Sequence, residues 1–305
     1  MKKIVIAAGT GFLGNVLVDY FKTKVETIVI LTRGKNKIEG TIKYEHWDGK
    51  TIGAWRNELE GSDVLINMTG KSVDCRYHQK NKDLILSSRV VSTNILGEAI
   101  ASCEHPPKVW LNSSTATIYR HSLDKEMDEI DGEIGTGFSV NVATNWENAF
   151  FTHKTPKTRK VALRTSIVLG KNGGALQPII NLVKIGFGGK QGKGNQKFSW
   201  IHETDFARSL EFIIENEEIQ GPINIVAPKP TDNNNLMKTL RNVTKVPFGI
   251  PLPKPLLEIG ARIIKTETEL ILKSRNVIPK KLLQNGFQFK YPDLVNATKE
   301  LTNKL

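Results

Sequence analysis

Apolar positions along this chain fall into two kinds of run. Blocks at residues 4–7, 27–32, 43–46, 63–67, 108–112, 161–168 and 223–226 predict strands, and the continuously apolar, β-branched ones suit a parallel sheet covered on both faces. Between them apolar residues recur at helical spacing. Leu13, Val16, Leu17 and Phe21 predict a helix over 12–21, and Leu84, Val91, Ile95 and Ala99 predict one over 83–102, with Pro106-Pro107 as punctuation. Strands interleaved with helices define an α/β fold, here a Rossmann-type doubly wound parallel sheet. The glycine-rich segment 169–202 and the proline-punctuated helical stretch 228–305 are expected to form a smaller C-terminal substrate lobe, leaving 1–168 and 203–227 as the dinucleotide-binding domain.

The first strand runs into Ala8-Gly-Thr-Gly-Phe-Leu-Gly14, which opens the first helix. A G-x-G-x-x-G string between strand and helix brings backbone N–H groups and the positive dipole end up to a pyrophosphate. Gly9, Thr10, Gly11, Phe12, Leu13 and Gly14 are therefore expected to contact a dinucleotide; a glycine turn serving only close packing is the alternative. The second strand ends at Arg33, followed by Lys35 and Lys37, where such a fold meets the adenosine ribose. A base there suits the 2′-phosphate, so NADP(H) is favoured over NAD(H), with a solvated loop arginine as the alternative. Trp47 and Asp48 follow the third strand, in a turn that either lies near the adenine or packs as ordinary loop.

Met68, Thr69 and Gly70 sit at the carboxyl end of the fourth strand, the side on which open α/β sheets bind ligands. The fifth strand enters Ser113-Ser-Thr-Ala-Thr-Ile-Tyr119, a hydroxyl-rich strand end that this topology sets beside a nicotinamide. The cluster is read as part of an active site, with Ser113 on the cofactor side, against the alternative of serine and threonine turn bonds. Arg76 and Arg89 flank the stretch after the fourth strand and either can meet an anionic substrate, or pair at the surface with Asp74 or Asp83. His202 is kept as a pocket residue beside its commoner capping role, and Glu267 and Glu269 face either a cleft or solvent.

Composition trims the function classes. The net charge of +12 is spread along the chain without a basic block, which reads as a solvated surface and not a nucleic-acid footprint. No G-x-x-x-x-G-K-[ST] string overlies the glycine-lysine segment 188–194, which argues against a P-loop NTPase. No apolar run approaches the ~20 residues of a membrane span. Two lysines lead directly into the first strand, so no signal peptide is read and a cytoplasmic location is expected. Cys75 and Cys103 are too few for a disulfide framework or a zinc site, and no metal is expected.

The glycine turn, residues 63–70 and Ser113-Ser-Thr-Ala-Thr-Ile-Tyr119 together resemble the extended short-chain dehydrogenase/reductases, the NAD(P)-dependent epimerase/dehydratases. Trp146-Glu147, Leu163-Arg-Thr-Ser-Ile-Val-Leu-Gly170, Gly173-Gly-Ala175, Phe198-Ser-Trp-Ile-His202, Pro279-Lys-Lys-Leu-Leu-Gln-Asn-Gly-Phe287 and Phe289-Lys-Tyr-Pro-Asp293 are similar to its atypical "epimerase family protein" subgroup, which carries a C-terminal domain of unassigned function. The resemblance implies a glycine pattern falling on Ala8, Gly11 and Gly14, with Ala8 tolerated where its φ is negative. It places the catalytic Ser/Thr on Thr115, but the proton-transferring Tyr and its Lys on Val142 and Trp146, neither of which moves a proton. The literal Tyr20-x-x-x-Lys24 lies at the far end of the first helix and is read as coincidence. Tyr119 is the preferred substitute, ahead of Lys71, Arg76, Tyr77 and His202. The expected function is an NADP(H)-binding oxidoreductase or epimerase-like protein, monomeric or homodimeric, acting on a small organic substrate. The alternative is a non-catalytic NADP(H) sensor.

Overall fold

β1 (Lys3–Ala7) forms the sheet centre, with Ile4 to Ala7 inaccessible to solvent, and turns into α1 (Phe12–Phe21). β2 (Thr27–Thr32) pairs with it in parallel; β3 (Lys37–Glu39) then makes a hairpin with β4 (Ile42–His46), which joins β2. β5 (Val64–Asn67) returns to the other side of β1, and α2 (Gln79–Ala101), β6 (Val109–Thr115), α3 (Phe138–Thr152) and β7 (Arg159–Thr165) build outward from it. β8 (Ile167–Leu169), α4 (Leu176–Leu182), β9 (Lys197–Phe198) and β10 (Trp200–His202) lead to α5 (Glu203–Glu215) and the edge strand β11 (Gly221–Ile225). β12 (Thr231–Asp232) precedes α6 (Asn233–Thr244), α7 (Lys254–Ile263), α8 (Glu269–Leu272), α9 (Lys280–Gln284) and α10 (Leu294–Thr302). This computed structural model describes residues 1–263 and 267–302, so the helical expectation at 264–266 and 303–305 lies outside the described residues.

The sheet has eight strands in the order β11-β7-β6-β5-β1-β2-β4-β3, and only β3 runs antiparallel to its neighbour. Strand order reverses between β1 and β5, and ligands of doubly wound sheets lie in the crevice at the carboxyl ends of such a pair. Alternation along the strands feeds both faces: Ile4, Ile6, Ile28 and Ile30 pack with Leu17 and Phe21 of α1 and Phe206 of α5, whereas Val5, Val29, Leu65 and Trp110 pack with Leu96 of α2 and Phe150 of α3. A third core joins Leu176, Ile180, Trp200, Leu236, Leu240, Leu294 and Leu301 around the C-terminal helices.

Several expectations are corrected. The third strand acquires the hairpin partner β3, because Gly40 at φ 59° permits a tight turn before Ile42. The sixth strand ends at Thr165, and Ile167–Leu169 pairs with β10 instead. α2 begins at Gln79 and leaves Leu84 and Val91 exposed, burying Ile85, Ser92, Thr93, Leu96 and Ile100. Its orientation is set at Gly97, where a Cβ would stand 2.3 Å from the His153 ring, so close approach outweighs the most apolar stripe. By length and composition α2 is the one helix among the described residues able to cross a membrane, and here its apolar side packs on the sheet.

Candidate functional site

The three glycines of the first turn do different work. A Cβ on Gly14 would lie 2.3 Å from the Gly9 carbonyl oxygen, and one on Gly9 would lie 3.0 Å from Ile6 Cγ2, so these two let α1 close onto β1. Among the described residues, Gly11, the N-cap of α1, has nothing within 4 Å of its added Cβ, and no side chain caps the helix. The first-turn N–H groups of α1 therefore have no capping side chain and the turn is open at Gly11, which fits an approaching phosphate. The condition for an easily tolerated Ala8, a negative φ, is not met: the residue sits at 60°, with its N–H donated to Leu31 O at 2.9 Å. The Phe12 ring is enclosed by Gly170, Gly173 and Gly174, where added Cβ atoms would come within 3 Å of it, so only its backbone belongs to the turn.

Beside this turn lies a cleft of about 270 Å³. Leu13, Met68, Thr69, Gly70, Ser113 and Thr115 all line it, and Val142 and Trp146 stand on its wall. Carbon and indole thus occupy the positions where the family resemblance puts tyrosine and lysine. Arg33, Thr10 and Asp48 are exposed and do not line this cleft. The Asp48 carboxylate accepts the N–H groups of Lys50 (2.8 Å) and Thr51 (2.9 Å), which hold it below the usual carboxylate range. Trp47 packs in the core, 5.2 Å from the Trp55 ring, as the alternative of ordinary loop packing has it.

A buried network aims the strand ends. Asn67 and Asn112 are register partners on β5 and β6, and Asn67 Nδ2 donates to Asn112 Oδ1 at 2.7 Å and to Thr93 Oγ1 at 3.2 Å. Asn67 Oδ1 accepts the Thr69 N–H (3.0 Å), and Trp146 Nε1 donates to Thr93 Oγ1 (3.0 Å), so loop and wall share one scaffold. Ser113 Oγ donates to Asn67 O (2.7 Å) and Ser114 Oγ to Glu147 Oε1 (2.6 Å). Thr115 Oγ1 accepts the Thr117 N–H at 3.1 Å, leaving its own proton to donate into the cleft. Thr69 Oγ1 is buried without a partner among the described residues, an orphan that a cofactor hydroxyl or amide would satisfy. Of these, Thr93, Asn67 and Asn112 were not singled out from sequence, and Glu147 only as part of a family motif; the paired asparagines at adjacent strand ends were the available signal.

Tyr119 is a correction. A 3-10 turn at Ala116–Ile118 carries it away from the strand end, and it is buried outside the cleft lining. Its hydroxyl accepts from Arg164 Nη1 and donates to Asn224 Oδ1, both at 2.9 Å, and burial raises its pKa against the Arg164 charge. A phenol committed on both sides has no proton to exchange with a cleft-bound molecule. His202 is likewise structural: Nδ1 accepts the Thr204 N–H (3.0 Å), Nε2 faces Glu300 Oε2 (3.0 Å), the ring stacks on Tyr291, and burial lowers its pKa. Tyr20 and Lys24 both bind Glu211 across α1 and α5. Tyr77 lines the cleft with its pKa raised by burial, its N–H held by Glu267 Oε1 at 2.7 Å; Glu269 accepts the Ser139 hydroxyl at 3.1 Å.

A switch-point crevice, a glycine turn feeding an uncapped helix and hydroxyls at the next strand ends define a Rossmann-type dinucleotide-binding protein. The chain belongs to the NAD-dependent epimerase/dehydratase family, whose profile matches residues 4–226, and a domain of unknown function, DUF1731, matches residues 252–301. It is 33% identical to the epimerase family protein YfhF of Bacillus subtilis over 299 residues, covering 98% of this chain and 97% of that one. Epimerase family protein SERP0438 of Staphylococcus epidermidis is 32% identical over 302 residues, with 99% of each chain covered. Among solved structures, human epimerase family protein SDR39U1 (isoform 2) with NADPH is similar at a TM-score of 0.87 and 29% identity, covering 99% of this chain and 100% of that one.

Proposed function

We propose that this protein binds NADP(H) at the carboxyl ends of β1, β2 and β5 and acts as an oxidoreductase or epimerase on a small organic substrate held in the cleft. The carrying observation is the open, uncapped α1 N-terminus at Gly11 in the same neighbourhood as the orphaned Thr69 hydroxyl and the free Thr115 proton. The NADPH carried by the human relative supports the choice of nucleotide, as does Arg33 just past β2. Gly9, Gly11 and Gly14 shape the phosphate turn, and Met68, Thr69, Gly70 and Ser113 hold the nicotinamide end. A bound nicotinamide supplies hydride chemistry. Thr115 donates a hydrogen bond to the substrate oxygen, and Tyr77, the phenol that remains in the cleft and is kept protonated by burial, delivers the proton.

Thermal melts with NAD, NADH, NADP and NADPH test the binding reading, since a ligand of the native state raises apparent stability. NADPH is expected to give the largest shift; no shift with any of the four refutes it. Turnover of NADPH over a panel of carbonyl and enone compounds then separates enzyme from sensor. In an enzyme, Thr115→Ser retains activity and Thr115→Val and Tyr77→Phe lower it about 10²-fold or more. The sensor reading draws on Val142 and Trp146 in the cleft wall and is favoured if NADPH binds but no compound is reduced.

A further inference from the structure

Arg89, from the middle of α2, is the only charged side chain among the described residues lining the cleft. Its Nη1 donates to the main-chain oxygens of Ile85 (2.9 Å) and Lys71 (3.1 Å). The guanidinium stands 5.0 Å from the Trp146 ring centroid and lies against Gly70, where an added Cβ would come within 3.0 Å of its central carbon. Helix, loop and indole therefore fix the fork in place. Its Nε and Nη2 donors have no partner among the described residues.

No carboxylate among the described residues pairs with Arg89, and those beside Tyr77, Ser139 and Trp146 are engaged elsewhere. Glu267 faces Arg76 at 3.3 Å and holds the Tyr77 N–H, Glu269 takes the Ser139 hydroxyl, and Glu147 is bound by Arg164. Burial lowers the Arg89 pKa to about 10, so it still carries its charge at neutral pH. A desolvated cation without a counter-ion is costly, and a planar fork with free donors matches a two-oxygen anion. Gly70 is what makes room for it: any side chain there would displace the guanidinium.

We propose that Arg89 binds an oxyanion, carboxylate or phosphoryl, of the molecule that fills the cleft, which makes that molecule an anion. The proposal deepens the reading above and rests on it for the cleft's role as a substrate site. Sodium malonate and inorganic phosphate are titrated calorimetrically into the full chain, alone and with saturating NADPH, using wild type, R89Q and R89K, with circular dichroism as the check on folding. Wild type is expected to bind at least one anion, R89Q at least tenfold more weakly, and R89K in between, since lysine keeps the charge without the fork. If malonate binding is lost while NADPH affinity stays within twofold, the anion is a substrate carboxylate. If R89Q instead weakens NADPH itself tenfold, it is a phosphate of the cofactor. Should R89Q misfold, R89K alone decides, by a loss of threefold or more. Anion and NADPH affinities that are unchanged in a folded variant overturn the proposal, as does a wild type that binds neither anion. A wild type that binds anions through Arg89 but no NADPH sinks the cofactor reading and leaves this one standing.

Discussion

Arg164 grips Glu147 through two hydrogen bonds of 2.8 Å, Nε to Oε1 and Nη2 to Oε2, with both side chains buried. Burial opposes the charge on Arg164, and the bonds and charge of Glu147 more than offset it, raising its pKa. Ser114 and Tyr119 hang on the same pair, so one ion pair ties β6, α3 and β7 together behind the cleft. Glu147→Gln leaves the guanidinium charge buried and unpaired, and is expected to cost about 3–5 kcal/mol. Replacing both partners by methionine should cost less than the sum of the single changes. Urea unfolding of wild type, Glu147→Gln, the two single methionine variants and the double variant measures this, and a Glu147→Gln loss under about 1 kcal/mol would contradict it.

The glycine turn predicts opposite behaviour at positions three residues apart. Gly11→Ala adds a methyl into empty space at φ −85°, so stability should stay within about 0.5 kcal/mol while NADPH affinity falls tenfold or more. Gly14→Ala drives a methyl to 2.3 Å from the Gly9 carbonyl oxygen and is expected to destabilise the fold by about 2 kcal/mol or more. Ala8→Gly relieves a left-handed alanine at φ 60° and should be neutral to stabilising by about 1 kcal/mol. Paired melting and nucleotide titrations check all three; equal losses of affinity and stability in Gly11→Ala would remove the case for a phosphate at that site.

Buried parallel strands were readable because both faces demand apolar residues, so 27–32 and the block ending at Asn67 stand out against their flanks. That Thr69, Gly70, Ser113 and Thr115 share one cleft was readable for a topological reason: strand ends beside a switch point face one crevice. What sequence spacing hid depends on partners far along the chain. Arg76 and Arg89 look alike until Glu267 arrives from the C-terminal region and faces only the first. Tyr119 follows the right strand, yet a single 3-10 turn delivers its hydroxyl to Arg164 and Asn224. The buried side of α2 is decided by Gly97 against His153, a contact of shape that no hydrophobic period encodes.

The proposed preference for NADP(H) rests on Arg33. It lies exposed immediately after β2, so a phosphate it meets stays partly solvated, and its removal should weaken NADPH by about tenfold, or roughly 1.4 kcal/mol. NADH lacks that phosphate and should lose less than twofold in Arg33→Ala. Raising the ionic strength should erode the difference between the two nucleotides in wild type and leave it small in the variant. Fluorescence titration at low and high salt reads both effects, and matched losses for NADPH and NADH would place the arginine elsewhere.

Lys273 ties the C-terminal segment to the cleft and leaves a signature in the pH dependence of stability. Its Nζ donates to Thr117 O at 2.8 Å, and burial, aided by the Arg275 charge, lowers its pKa from 10.5 to about 8. The folded chain therefore gives up this proton before the unfolded chain does. Between pH 8 and 10.5 the unfolded state binds more protons, so the lysine's contribution to stability rises across that window. Below about pH 8 both states hold the proton and the charged amine carries its full penalty, on the order of 1 kcal/mol after solvent screening. Lys273→Met removes that penalty and loses the bond to Thr117 O. Its stability relative to wild type should accordingly be greatest near pH 7 and decline by about 1 kcal/mol by pH 10.5. Melting curves of both proteins at unit pH steps measure the difference, and an offset that stays constant with pH would mean the amine is solvated and its proton uncoupled from folding.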